Sequence, residues 1–177
     1  MKLDRFDNAL IFLLILTALG LVALVARALP AKATRIDTRS MERELAAQAR
    51  TALLDRLFDP VTAAMQAGQL QEALLKLEEL NVRYPGEAHG FILKGEILNR
   101  LEVFDAAVAS LVKGVKLNGD YIDKASQVSR RDIIAKLVEL RLPQAVASYR
   151  SSPGSPALKE NLANLNYLKS RLAGGCE

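Results

Sequence analysis

The side chains that most often carry chemistry are scarce in this sequence. It holds one histidine, His89, and one cysteine, Cys176. A lone thiol cannot form an internal disulfide or a four-cysteine zinc site, and no second histidine is present to complete a metal pair. Three serines cluster at Ser151, Ser152 and Ser155, but they lack the glycine pattern of a nucleophile elbow. We therefore expect a protein without enzymatic activity, cofactor or bound metal.

The charge balance favours a membrane surface over nucleic acid. Lys and Arg total 24 and Asp and Glu total 20, a net charge of +4. Much of this excess follows an apolar N-terminal stretch, and no basic face interleaved with aromatic residues comes after it. Such a basic segment typically sets membrane topology or contacts anionic lipid headgroups. Its members are Arg27, Lys32, Arg35, Arg39 and Arg43.

The N-terminal stretch itself suggests a membrane helix. Residues 9–26 carry no charge, and about 18 residues at 1.5 Å each give roughly 27 Å, close to the ~30 Å core of a bilayer. We expect an uncleaved single-pass anchor in residues 1–30, contacting the lipid bilayer through residues 9–29 of a bacterial inner (cytoplasmic) membrane. A cleavable signal peptide is the alternative. The basic residues after the span favour a cytoplasmic domain, and a periplasmic domain is the alternative.

Helical periodicity, without sustained period-two alternation, predicts that the rest of the chain is all-α. Residues 31–59 are interpreted as a basic linker and an amphipathic leading helix that Ser40 caps. The Asp59-Pro60 pair predicts a break and a restart. Residues 60–121 are interpreted as two helix pairs, and residues 122–177 as an irregular helical cap. The predicted helices cover residues 40–58, 60–67, 70–82, 88–101, 104–117, 132–140, 143–149 and 156–172.

The two helix pairs repeat at a step of 34 positions. Ala73 matches Ala107, and Leu77 matches Leu111. A fixed period of this size is typical of stacked supersecondary units. Alanine suits the point where two antiparallel helices approach most closely, because a larger side chain would push them apart. Leu70 also matches Phe104, and Ala64 matches Leu98.

The second pair, residues 88–121, resembles the tetratricopeptide repeat (TPR) family. Phe91 stands at the aromatic position of the first helix, Gly95 at the small position of helix contact, and Phe104-Asp-Ala-Ala107 resembles the motif that opens the second helix. The first pair departs from the family at Pro60 and Val61. The resemblance implies an α-solenoid of helical hairpins that binds proteins on its concave face.

Mapping that concave face onto this sequence gives a candidate partner-binding groove. The histidine in it is either a pH-sensitive contact or a bystander, and the alternative for the whole set is a solvated helix face. The groove residues are Thr62, Met65, His89, Ile92, Glu96, Asn99 and Arg100.

A second candidate surface lies on the predicted membrane helix, where small residues would permit close packing against another helix. The alternative is a lone helix in lipid. The residues are Ala9, Gly20, Ala23 and Arg27.

These features predict a membrane-anchored TPR-like adaptor or scaffold that binds other proteins and helps to assemble or stabilise a membrane complex. One alternative is a permanent accessory subunit of a multisubunit transporter, respiratory or motor complex, held through the transmembrane helix. The other is a periplasmic assembly or chaperone-like factor. Nucleic acid is not an expected partner.

Overall fold

The part of the chain that the structure describes is built from α-helices. The computed structural model describes the backbone of residues 5–174 and, within that range, the side chains of residues 14–24 and 41–174. Six α-helices and one 3₁₀ turn (Gly119–Tyr121) follow one another in this range without a strand. The all-α prediction is confirmed. The helices are α1 (Arg5–Gln66), α2 (Leu70–Arg83), α3 (Ala88–Arg100), α4 (Phe104–Leu117), α5 (Arg131–Ser151) and α6 (Pro156–Leu172).

The chain divides into two compact units, of which the first ends at Arg50 and the second begins at Thr51. The second unit contains two clusters of buried apolar side chains. One cluster joins the end of α1, helix α2 and α3, which contributes Leu93 and Ile97. The other joins α4, α5, α6 and a different side of α3, which contributes Ile92. Helix α3 belongs to both clusters, and nine of its 13 residues are buried.

The prediction of a transmembrane helix is wrong. Among the residues that the structure describes, no helix is both long and apolar enough to cross a bilayer. Apolar side chains of the N-terminal stretch are described only for residues 14–24, and about eleven residues span roughly 16 Å, half of the hydrocarbon core. These side chains belong to a helix of 62 residues rather than to a separate span. Positions 9–13 and 25–29 of the predicted span lie outside the described side chains. The inner-membrane location stays a prediction.

The predicted helix breaks at Ser40 and at Asp59-Pro60 are also wrong, because α1 continues through both positions. A proline inside a helix removes one backbone hydrogen bond and crowds the carbonyl four residues earlier. On either side of Pro60, Phe58 and Val61 are 1% and 0% exposed. Burial of two large apolar side chains is worth several kcal/mol in total, roughly 1.5–3 kcal/mol each, and offsets the loss. The hydroxyl of Thr62 also donates to the Asp59 carbonyl at 3.0 Å.

The two predicted short helices around Pro143 are a single helix, α5, with the proline in its interior. Val138 and Ala145 are buried on the two sides of the proline. They pack in the same cluster as Leu165 and Leu168 of α6. Tertiary packing again holds a helix together where local sequence favours an end. The remaining predicted helices match α2, α3, α4 and α6 within one residue at each end.

Helices α3 and α4 pack closely against each other in the second unit. A Cβ atom added to Gly95 would lie 2.5 Å from Leu111 Cγ and 3.1 Å from the carbonyl oxygen of Ala107. Ala107 and Leu111 are both fully buried, as are Ala73 and Leu77 at the matching positions of α2. The predicted role of Ala107 and Leu111 in close helix packing is therefore confirmed, and Ala73 and Leu77 are buried as their positions predict.

This contact predicts that Ala107→Leu destabilises the protein by about 1–3 kcal/mol, because the added methyl groups have no space beside Gly95. Ala109→Leu is the matched control, because Ala109 lies in the same helix and is exposed. Chemical unfolding of both variants measures the difference. Equal stability of the two variants would mean that the α3–α4 contact is not as close as described.

Candidate functional site

The structure places four of the seven predicted groove residues in the interior. They pack against other parts of this chain, and the remaining three lie at least partly at the surface. The buried residues are Met65, His89, Ile92 and Glu96, with 5%, 4%, 0% and 8% exposure. Thr62 and Asn99 are half-buried, and Arg100 is exposed. Their role in partner binding stays a prediction.

His89 lies in a mainly aromatic environment at the start of α3. Its Nδ1 is 2.9 Å from the hydroxyl oxygen of Tyr121, and its ring centroid is 5.0 Å from that of Phe58. Burial lowers the pKa of His89 to about 4, and the positive charge of Arg130 acts in the same direction. The carboxylates of Asp55 and Glu87 oppose this shift without cancelling it. The imidazole is therefore neutral at pH 7 and forms one hydrogen bond with the Tyr121 hydroxyl.

Glu96 is the second buried polar residue of α3. Its Oε1 accepts a hydrogen bond from Arg130 Nε at 3.0 Å, and the same contact is an ion pair. Burial raises the pKa of Glu96, while the charges of Arg130 and Arg100 pull it down. A carboxylate this buried needs its cation, because removal of either partner would leave an uncompensated charge in the protein.

One connection supplies both partners of these buried groups. Tyr121 ends the 3₁₀ turn after α4, and Arg130 immediately precedes α5. The Arg130 amide donates to the Tyr121 carbonyl at 2.7 Å, which holds the two ends of the connection together. Sequence reasoning missed both residues, because Tyr121 is only the last residue of the second repeat unit and Arg130 lies beyond it. The signal available was a buried-type aromatic residue, Tyr121, next to the Asn118-Gly119 turn.

Two other predicted groove residues meet at the end of α1. Arg100 Nη1 donates to the carbonyl oxygen of Met65 at 3.1 Å. Met65 stands in the last turn of α1, where carbonyl groups lack partners within the helix. A cation at this end also interacts favourably with the helix dipole. Arg100 therefore has a structural contact of its own, and Thr62 has one with Asp59.

An open pocket of about 600 Å³ lies between α3 and the start of α5, and we call it the α3–α5 pocket. Its volume falls within the range of roughly 300–1,000 Å³ that is usual for ligand sites. Glu96 is the one predicted groove residue that lines it. The other lining residues are Lys124, Ser129, Arg130, Arg131, Asp132 and Ile133.

For the second predicted surface, on the N-terminal helix, the structure describes two of the four side chains, and its role in helix packing stays a prediction. Gly20 and Ala23 lie on an exposed part of α1, and a Cβ atom added to Gly20 would meet no atom within 4 Å. Ala9 and Arg27 lie outside the described side chains. The described residues also contain no group of three or more side chains suited to hold a metal ion.

Comparisons with known proteins identify no relative. No protein-family model, curated protein or solved structure matches this chain. We therefore take its function from the residues and contacts described above.

The lowered pKa of His89 predicts an acid-labile fold. Between pH 6.5 and about 4 the unfolded chain binds a proton that the folded histidine does not, so stability falls as the pH falls through this window. The full loss is about 3 kcal/mol for a shift of this size. Urea unfolding at several pH values should show it in the unmodified protein and not in His89→Gln.

The titration of Glu96 changes the stability in the opposite direction, so a variant at this position supplies the control. Because its pKa is raised, the folded carboxyl binds a proton before the unfolded one does, which favours the fold as the pH falls. Repeating the comparison in a Glu96→Gln background removes this contribution. If the unfolding free energy depends on pH with the same slope in the protein that has His89 and in the His89→Gln variant, the buried, neutral state of His89 is contradicted.

Proposed function

We propose that residues 51–174 form a binding module for another protein, docked on the face that α3 and the start of α5 present. The observation that carries this proposal is the α3–α5 pocket, which is lined largely by charged side chains of α3, the first turn of α5 and the connection before it. Charged side chains that hydrogen bonds within the chain already hold, such as those of Arg130 and Arg131, suit specific recognition, because little entropy is lost when a partner orders them. The proposal keeps the scaffold role that the sequence predicts and gives it a location.

The helical repeat supports the same proposal. The TPR-like positions Gly95 and Ala107 make a close crossing of α3 and α4, and Phe91 is stacked under the Lys113 ammonium at 4.1 Å. Stacked helical hairpins characteristically present extended surfaces to protein partners. We propose this kind of surface for residues 51–174, with the resemblance to the TPR family as its basis.

The predicted groove is modified in this proposal. Tyr121 and Arg130 cover His89 and Glu96 of α3, so a partner reaches the edge of this face rather than its centre. The accessory-subunit alternative depended on a transmembrane helix and is not carried forward. An assembly or chaperone-like role remains compatible with a protein-binding module.

Site-specific crosslinking in cells tests the proposal. A photoreactive amino acid in place of Ile133, which lines the pocket and is 37% exposed, should give a discrete adduct with one protein. The same replacement at Val82 is the control, because Val82 is 83% exposed on α2 and does not line the pocket. The captured protein, once purified, should bind the unmodified chain directly. Equal adducts from both positions, or none from Ile133, would contradict the proposal.

A further inference from the structure

We infer that the α3–α5 pocket binds a carboxylate group, presented by an acidic segment of the partner protein. This inference rests on the proposed function, because it assumes that the pocket is the docking point. It adds the chemical class of the group that enters. The charges of the lining residues carry it, together with the partners that those residues already have.

The pocket has more positive charge than its own residues neutralise. Arg130 and Glu96 form an ion pair at 3.0 Å and cancel each other. Of the remaining charged lining residues, Lys124 and Arg131 are positive and Asp132 is negative. The pocket therefore has an excess of one positive charge, which a single carboxylate would balance.

Arg131 is the half-buried source of that excess. Its guanidinium donates to two backbone carbonyls, at 3.0 Å to Ile122 and at a short distance to Leu172. Both acceptors are neutral, so hydrogen bonds hold the side chain in place while its charge has no carboxylate in contact among the described residues. A positive charge fixed in a partly buried position attracts an anion more strongly than a mobile surface charge does.

Lys124 is the exposed source of the excess positive charge. Its side chain is exposed at the rim of the pocket, and it forms no ion pair among the side chains that the structure describes. Ser129, which also lines the pocket, accepts from the Arg131 amide at 3.4 Å through its oxygen and keeps its hydroxyl proton for another acceptor. One ammonium and one hydroxyl donor thus belong to residues that line the same open volume, a combination that suits a carboxylate oxygen.

The acidic lining residues favour a carboxylate over a phosphate. Glu96 and Asp132 both face the pocket, and a phosphate group carries close to two negative charges at neutral pH. Such a ligand would exceed the single uncompensated positive charge and would be repelled by Asp132. A carboxylate carries one charge and two oxygens, which match the net charge and the available donors.

Peptide binding to the full chain tests the inference. The probe is a capped, fluorescently labelled, glutamate-rich peptide, and its counterpart carries glutamine at each glutamate. Fluorescence anisotropy should show binding of the first peptide and at least about tenfold weaker binding of the second, because the charge-assisted contacts are lost. Equal binding of the two peptides, or no binding of the glutamate peptide, would overturn the inference.

Substitutions locate the binding in the pocket. Lys124→Gln should weaken the glutamate peptide about three- to tenfold, whereas Lys136→Gln, on an exposed part of α5 outside the pocket, should not. Asp132→Asn should strengthen binding about two- to threefold by removing a negative charge from the rim. Equal loss in the two lysine variants would place binding elsewhere and overturn the inference. Inorganic phosphate, added at a concentration similar to that of the peptide and at matched ionic strength, should not displace the glutamate peptide. Displacement would overturn the choice of a carboxylate.

The inference and the proposed function can fail separately. If the partner captured through Ile133 binds the Lys124→Gln variant as well as the unmodified chain, the docking proposal stands and the carboxylate assignment is wrong. If the glutamate peptide binds in the pocket but Ile133 captures no protein, the chemistry of the pocket stands and its use by a protein partner is wrong.

Discussion

The close approach of α3 and α4 is the constraint on which the rest of the second unit depends. It exists because Gly95 has no side chain and Ala107 has a single methyl group, so Leu111 can lie against the α3 backbone. The approach fixes α3 between two apolar clusters, each of which uses a different side of the helix. With nine of 13 residues buried, α3 has little surface left, and the remaining elements must arrange themselves around it.

Burial of α3 creates a problem that the connection from α4 to α5 solves. His89 and Glu96 are drawn into the interior with the apolar residues of the same helix, and each needs a polar partner there. Tyr121, at the end of the second repeat unit, and Arg130, beyond it, provide those partners. The connection that serves this purpose also places Lys124 and Ser129 in the lining of the α3–α5 pocket, which Glu96 shares. A stabilising arrangement and a candidate binding site therefore come from the same few residues.

The helix ends show which structural features the local sequence predicts and which it does not. The turn at Tyr84-Pro85-Gly86 and the start at Ser155-Pro156 were predictable, because glycine at positive φ, proline and a capping hydroxyl act within a few residues. Pro60 and Pro143 have equally strong local signals, yet each lies inside a continuous helix. There the burial of neighbours such as Val61 and Val138 outweighs a lost hydrogen bond, and that burial depends on helices distant in sequence. The prediction for the apolar N-terminal stretch was wrong for another reason, because no helix among the described residues is long and apolar enough to cross a bilayer.

The amino-acid sequence alone determined the all-helical class of the described residues, the 34-residue step and the alanine, Ala107, at the crossing of α3 and α4. These properties follow from periodicity and side-chain size, which act locally and can be recognised in one chain. Tertiary structure alone decided that the predicted groove is partly covered, that His89 and Glu96 are buried, and that Arg130 is the counter-ion. The distance of 34 residues between Glu96 and Arg130 is the physical reason, because no local preference specifies which charge will meet another after folding.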